Sequence, residues 1–303
     1  MKQQSNNQLD LASRSIHPDT RIGIVTLTVS ELSTSIPYYV EAVGFELLKQ
    51  DSQSAVLGAG GVPLLYLTEQ KGAQAWPRGG ISYTGLYHFA ILLPTRGDLG
   101  RWLQHWFEVG MPMPGQGDHL VSEALYLEDP DGHGIEVYQD RPRSEWRFVN
   151  GQIQMAADPV DLEGLLDEAI REDKAWTGLP KGTKVGHIHL QVADIAASRD
   201  FYNGILGFDV MADLEHMGAL FLSAGGYHHH LGMNTWHSKG RSAAPEGSVG
   251  LQHFTVLLPD QAALDEVTAR LQAADVPYET AQDGILVRDP ANNRILLMVD
   301  SAS

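Results

Sequence analysis

The 303-residue chain contains no cysteine. That absence excludes a disulfide framework, a thiolate nucleophile and a thiolate metal site. Any bound metal must therefore be held by His, Asp, Glu or Tyr. Positive charge is scarce: 21 basic residues stand against 38 acidic ones, a formal net charge of −17. Nucleic acid and anionic membranes both demand basic patches, so neither is expected as a partner. No uninterrupted apolar run reaches membrane-spanning length. The opening MKQQSNNQLDLASRS is polar, with nothing resembling a signal peptide, and a cytoplasmic location is the expectation. A content of 43% hydrophobic and 19% charged residues suits a chain with a full core, in one large domain or two ordinary ones.

Histidine, by contrast, is plentiful, with 13 in the chain. Several open a short repeated motif: a strand-like run followed, seven positions on, by an acidic or turn residue. The copies are His187-Ile-His-Leu-Gln-Val-Ala-Asp194, His253-Phe-Thr-Val-Leu-Leu-Pro-Asp260 and His88-Phe-Ala-Ile-Leu-Leu-Pro-Thr95. A fourth, Ile24-Val-Thr-Leu-Thr-Val-Ser-Glu31, keeps the frame without the histidine. Four copies of one unit predict a fold built by repetition.

Each copy heads a unit that reads strand, helix, then about three strands. Unit one covers about 21–70, with a helix over Ser33–Val43 ended by Gly44-Phe45. Unit two covers about 84–140, with a helix over Asp98–Val109 and a turn at Asp129-Pro-Asp-Gly. Unit three covers about 183–237, its helix capped by Asp194 and ended by Gly207-Phe208. Unit four covers about 250–300, with a helix over Gln261–Ala274. The expected division is a disordered tail (1–20), an N-terminal domain of two units (21–140), a linker with one helix (141–182) and a C-terminal domain of two units (183–303). A curved sheet of this size buries one face, so units must pair to close a core.

Four segments carry a family resemblance: Gly-Leu-Tyr-His88-Phe-Ala-Ile-Leu-Leu-Pro, Asp129-Pro-Asp-Gly-His-Gly-Ile-Glu136-Val-Tyr, Val185-Gly-His187-Ile-His-Leu and Gly226-Tyr-His-His-His-Leu231. Over about residues 20–300 the chain resembles the vicinal oxygen chelate superfamily, and within it the two-domain catechol 2,3-dioxygenases. The resemblance implies an α+β fold of four βαβββ modules pairing into two curved mixed-sheet half-barrels. It implies an Fe(II)-dependent extradiol dioxygenase acting on a small aromatic diol and O2, with Mn(II), Ni(II) and Zn(II) as the other metals to weigh. Members of the family often assemble, so a homo-oligomer is a further expectation.

Ligands in this family stand at the start of a module's first strand and on its last strand. Two histidines and a carboxylate leave open positions on Fe(II). Unit one offers Ile24, which cannot ligate. Unit two offers His88 and Glu136. Unit three offers His187 and, on its last strand, His229 or His230. Unit four offers His253, but Leu296 stands where a carboxylate is expected. Neither half of the chain is complete alone, whereas units two and three together supply His88, Glu136 and His187. The productive cavity is therefore expected across the middle of the chain, with units one and four forming a structural one.

Tyr126 matches the family's substrate-binding phenol, and His119 sits in the loop before it. His229 is the expected acid and base, with His230 as the alternative. Alternation along a strand lets only one of His229 and His230 face inward. If His230 faces in it is a fourth ligand, and the site becomes that of a glyoxalase-like lyase or isomerase. A non-catalytic small-molecule binding protein of the same fold is the third reading.

Each residue also has a bland reading. A lone strand histidine is more often a satisfied polar group than a ligand; for His88 and His187 the motif frame reverses that. His189 is expected on the same face as His187, supporting the ligands or, with the frame shifted by two, being one; His228 reads as a surface or strand-polar residue rather than a catalytic one, and Trp102, Trp106 and Met298 as packing. The acidic helix Asp161–Asp173 reads most simply as a solvated face.

Overall fold

The computed structural model describes residues 15–74, 76 and 82–300. Unit one consists of β1 (Arg21–Val29), α1 (Leu32–Pro37) continuing into a π-type turn (Tyr38–Val43), β2 (Glu46–Gln50), β3 (Ser54–Ala59) and β4 (Val62–Glu69). Unit two consists of β5 (Gly85–Leu92), α2 (Arg96–Glu108), β6 (Gly115–Asp118), β7 (Ser122–Glu128) and β8 (Gly134–Asp140). The connecting segment carries a small hairpin, β9 (Phe148–Val149) and β10 (Gln152–Ile153), and α3 (Leu162–Glu172). Unit three consists of β11 (Lys184–Gln191), α4 (Ile195–Arg199) with its own π-type turn (Asp200–Ile205), β12 (Asp209–Leu214), β13 (Ala219–Ser223) and β14 (Leu231–Asn234). Unit four consists of β15 (Gly250–Leu258), α5 (Gln261–Ala273), β16 (Tyr278–Ala281), β17 (Gly284–Arg288) and β18 (Arg294–Val299).

Local chemistry accounts for these elements. The Thr95, Asp161, Asp194 and Asp260 side chains each accept the N–H three residues on, capping α2, α3, α4 and α5. In α2, Leu99, Trp102, Leu103 and Trp106 recur at helical spacing and are buried. Trp102 donates its indole N–H to the Val43 carbonyl at 3.0 Å and stacks on Trp106. The helix of unit one does not run evenly to Val43. It widens after Pro37, where the Gly44 N–H reaches back five residues to the Tyr39 carbonyl. Gly44 then turns at φ +96°, and a Cβ there would lie 2.5 Å from the Trp176 ring.

The strands form two eight-stranded mixed sheets, β16-β17-β18-β15-β1-β4-β3-β2 and β12-β13-β14-β11-β5-β8-β7-β6. Unit one thus pairs with unit four, and unit two with unit three. Central antiparallel pairs, β1 with β15 and β5 with β11, join units whose internal strand order is the same. The sheets meet with β1 against β11 and β15 against β5. Alternation sorts the side chains: Phe89 and Ile91 enter the large shared core, whereas Ala90 and Leu92 face the other way with Ala124 and Tyr138. Tyr39 Oη donates to Asp129 at 2.8 Å and Tyr202 Oη to Asp289 at 3.0 Å, so each π-type turn is tied to the turn before the last strand of the following unit.

Residues 1–14 of the expected disordered tail lie outside the described residues. Ile16, by contrast, is buried and donates its N–H to the Gly207 carbonyl. The connecting segment packs rather than spans. Trp146 and Ile153 bury beside Met211 and Tyr227, and Leu165 and Ala169 of α3 are buried. A Cβ on Gly100 would lie 2.1 Å from the Leu165 carbonyl oxygen, so that glycine lets α2 and α3 touch. The outer face of α3 still meets the basic residues of α2, with Arg96 bridged to Glu168 at 3.0 Å. Among the described residues no helix is long and apolar enough to cross a membrane.

Candidate metal centre

The sheet of units two and three presents one row of side chains across four strands. His187 on β11 pairs with Ala90 on β5, Ala90 with Glu136 on β8, and Glu136 with Tyr126 on β7. Directly paired residues share a face, so all four point the same way. His88 and His189, paired with each other two positions along, join them. The small methyl of Ala90 in the middle leaves room between the larger groups. Both histidine-bearing strands are bulged beside the site. Gly186 is the extra residue just before His187, and Tyr87 the extra residue just before His88. Such bulges re-aim neighbouring side chains. Gly186 suits this crowding, since a Cβ there would lie 1.8 Å from Tyr138 Oη.

His88 Nε2 lies 3.0 Å from Glu136 Oε2, and His187 Nε2 lies 3.1 Å from the same oxygen. One donor atom from each residue falls within 4.8 Å of the other two, and all three residues are buried. Among the described residues this is the one cluster with three metal-binding groups. Burial by itself raises the Glu136 carboxyl, but the His187 and His88 rings beside it hold it well below the usual range. Burial lowers His187 to about 4, against the pull of Glu136, which keeps the ring neutral and its lone pair available at neutral pH. The donor set fits a divalent metal: two imidazoles and one carboxylate converge on one point, the arrangement of a facial triad.

Tyr126 and His119 form a pair beside this cluster. His119 Nδ1 meets the Ala156 carbonyl at 2.6 Å, so it carries the proton there. Its Nε2 then accepts from Tyr126 Oη, also at 2.6 Å. The Ala156 carbonyl belongs to the connecting segment, which thereby orients His119. Burial and the nearby Glu136 raise the Tyr126 hydroxyl well above its ordinary value, keeping it a proton donor. His189 does not join the cluster through Nε2, which receives the Asn234 amide at 3.0 Å. It stands instead in an aromatic wall with Tyr87, Trp236 and Phe221.

His229 and His230 diverge, as strand alternation requires. The His229 ring packs 4.1 Å from that of His187, and burial followed by the surrounding rings lowers it well below its ordinary value. His230 is not a fourth member of the cluster. Its Nδ1 accepts the Ala224 N–H at 3.1 Å, and its ring lies against Tyr227. His228, read from sequence as a surface or strand-polar residue, is fully buried between Tyr227 and Trp146 and bonded to Asp140. Asp140, Tyr138 and Tyr227 were not singled out from sequence either. The period-two series Glu136, Tyr138, Asp140 on one strand was the available signal for the first two. On the other sheet His253 meets Thr26 Oγ1 at 3.2 Å, and Leu296 offers no carboxylate.

The family model for the Glyoxalase/Bleomycin resistance protein/Dioxygenase superfamily matches residues 21–137 and 184–297. A catechol-2,3-dioxygenase of Bacillus subtilis (strain 168) is 46% identical over 287 residues, covering 94% of this chain and 99% of that one. A solved structure from Bacillus subtilis subsp. subtilis strain 168 superposes with a TM-score of 0.60 at 14% identity, over 95% of this chain and 86% of that one. Glyoxalase I of Zea mays superposes with a TM-score of 0.54 at 18% identity, over 93% and 92%. At such identities the two structures speak for the fold alone.

Proposed function

Because the chain belongs to the Glyoxalase/Bleomycin resistance protein/Dioxygenase superfamily, we propose that it is an Fe(II)-dependent extradiol dioxygenase. Its substrate is a catechol-like diol, whose ring opens beside one hydroxyl while both atoms of O2 enter the product. The observation that carries the reading is the buried convergence of His88, His187 and Glu136 on one point, within a chain 46% identical to a catechol-2,3-dioxygenase along nearly its whole length. These three residues hold the metal in this reading. When bound, the metal lowers the pKa of the diol and brings it next to O2.

The remaining residues manage the ring and its protons. Tyr126, on the strand beside Glu136, hydrogen-bonds the substrate hydroxyl, and His119 behind it fixes where the phenol points. His229, neutral and packed against His187, takes the hydroxyl proton and later returns it. The rings of Tyr87, His189 and Trp236 form an aromatic wall against which the substrate ring packs. A glyoxalase-like site needs a fourth protein ligand. His230, the candidate for that place, lies outside the cluster, with its Nδ1 accepting the Ala224 N–H.

The test is metal content and oxygen uptake of untagged protein purified without air. Stoichiometric iron or manganese, with catechol-dependent oxygen consumption, is the expected result. Nickel or zinc with no oxygen uptake supports a lyase. Failure to take up any metal on reconstitution supports a binding protein.

A further inference from the structure

Asp140, His228 and His229 form a hydrogen-bonded chain that ends beside the metal cluster. His228 Nε2 lies 2.8 Å from Asp140 Oδ1, and His228 Nδ1 lies 2.8 Å from His229 Nδ1. A neutral imidazole carries a single N–H, and a carboxylate only accepts. With a single proton on its ring, His228 carries it on Nε2, toward Asp140. Its Nδ1 is then a bare lone pair, so His229 donates from Nδ1. Nε2 of His229, on the other edge of the ring, is left as an acceptor. Among the described residues that ring makes no hydrogen bond other than the one at Nδ1.

The chain is locked at its outer end. Tyr227 Oη donates to the same Asp140 oxygen at 3.1 Å and exchanges a 2.7 Å hydrogen bond with Tyr138 Oη. Tyr227 also lies on the His228 ring at 4.1 Å, which leaves that ring no other orientation. Packing alone does not explain a fully buried imidazole with both nitrogens engaged, because an apolar ring would fill the same space without polar groups to satisfy.

We propose that His228 and Asp140 are positioning residues that fix His229 in its Nδ1–H tautomer, so that a bare Nε2 meets the substrate hydroxyl. The role of His229 rests on the dioxygenase reading; its tautomer does not. A carboxylate that sets the tautomer of a catalytic imidazole is a known device in acyl transfer. Here a second histidine is interposed between the two.

Two variants and one spectrum test it. In the iron-loaded enzyme, His228→Phe should lower kcat for catechol about 100- to 1,000-fold, with KM and iron content unchanged. His228→Asn places an amide oxygen where Nδ1 accepts, and should regain about tenfold over the Phe variant. Packing alone predicts the reverse order, since Phe keeps the stack on Tyr227 and Asn leaves a void. In the 15N spectrum of zinc-substituted wild-type protein, His229 should be protonated at Nδ1. An Asn variant no better than Phe, or a wild-type His229 protonated at Nε2, overturns the proposal. If iron-loaded wild type consumes no oxygen with any catechol, the dioxygenase reading fails and the spectrum alone decides the relay.

Discussion

Acid should unfold the metal-free protein far more readily than its composition suggests. His187 is lowered to about 4 and His230 to about 3, and His189 and His229 fall well below their ordinary value, all chiefly through burial. In the unfolded chain each returns to about 6.5. The unfolded state therefore binds more protons between about pH 6.5 and pH 4, and stability rises with pH across that window. At pH 5 the His187 and His230 rings are still neutral in the folded protein. The cost at that pH depends on the unfolded value alone, so the precise depth of each shift does not enter. Lowering the pH from 7.5 to 5 then removes about 2 kcal/mol for each of His187 and His230, or about 4 kcal/mol for the pair, and His189 and His229 act in the same direction. That is a large share of the stability of an ordinary domain, about 5–15 kcal/mol. The assay is urea unfolding of chelator-stripped protein at the two pH values. His230→Gln should recover about 2 kcal/mol of the difference. Equal stability at both pH values, or greater stability at pH 5, refutes the argument.

Glu136→Ala leaves two buried imidazoles without their carboxylate. Metal content and oxygen uptake should both be lost, with iron quantified against protein. Tyr126→Phe keeps the ring but not the hydroxyl, so kcat should fall about 10- to 100-fold at full metal occupancy. Gly186→Ala drives a methyl into Tyr138 Oη and should cost about 1–3 kcal/mol in urea unfolding, with a weaker Tyr138–Tyr227 contact. Tyr39→Phe removes one donor from the buried Asp129 carboxylate and should cost about 1–3 kcal/mol by the same measurement.

The repeat made the fold legible, because the same strand–helix–strand order recurs four times with caps and turns at matching places. The pairing of units followed from chemistry. Neither half of the chain holds a complete ligand set, and the sheet order brings His88 beside His187. What sequence hid is what depends on a third dimension. His228 reads as one of three adjacent histidines, and only the seat of Tyr227 and the reach of Asp140 show why it is buried. The segment 141–182 breaks the repeat and so reads as a spacer, yet its Ala156 carbonyl orients His119. The inward or outward choice between His229 and His230 was framed by alternation but decided by Ser223, Ala224 and Phe221.

The cross-pairing of units orders events during synthesis. Glu136 and His187 are 51 residues apart, whereas Thr26 and His253 are separated by 227. Closing the longer loop costs about 1.3 kcal/mol more by chain statistics. The half-barrel with the metal ligands can close once β14 leaves the ribosome. β1, the first strand made, covers one edge early with β4 but waits for β15 to cover the other. Until then Val25, Leu27 and Val29 sit on a bare strand edge, open to pairing with another chain. Nascent chains arrested before Gly250 therefore carry a finished catalytic half and an adhesive one, and about the last sixth of the sequence is what covers that edge.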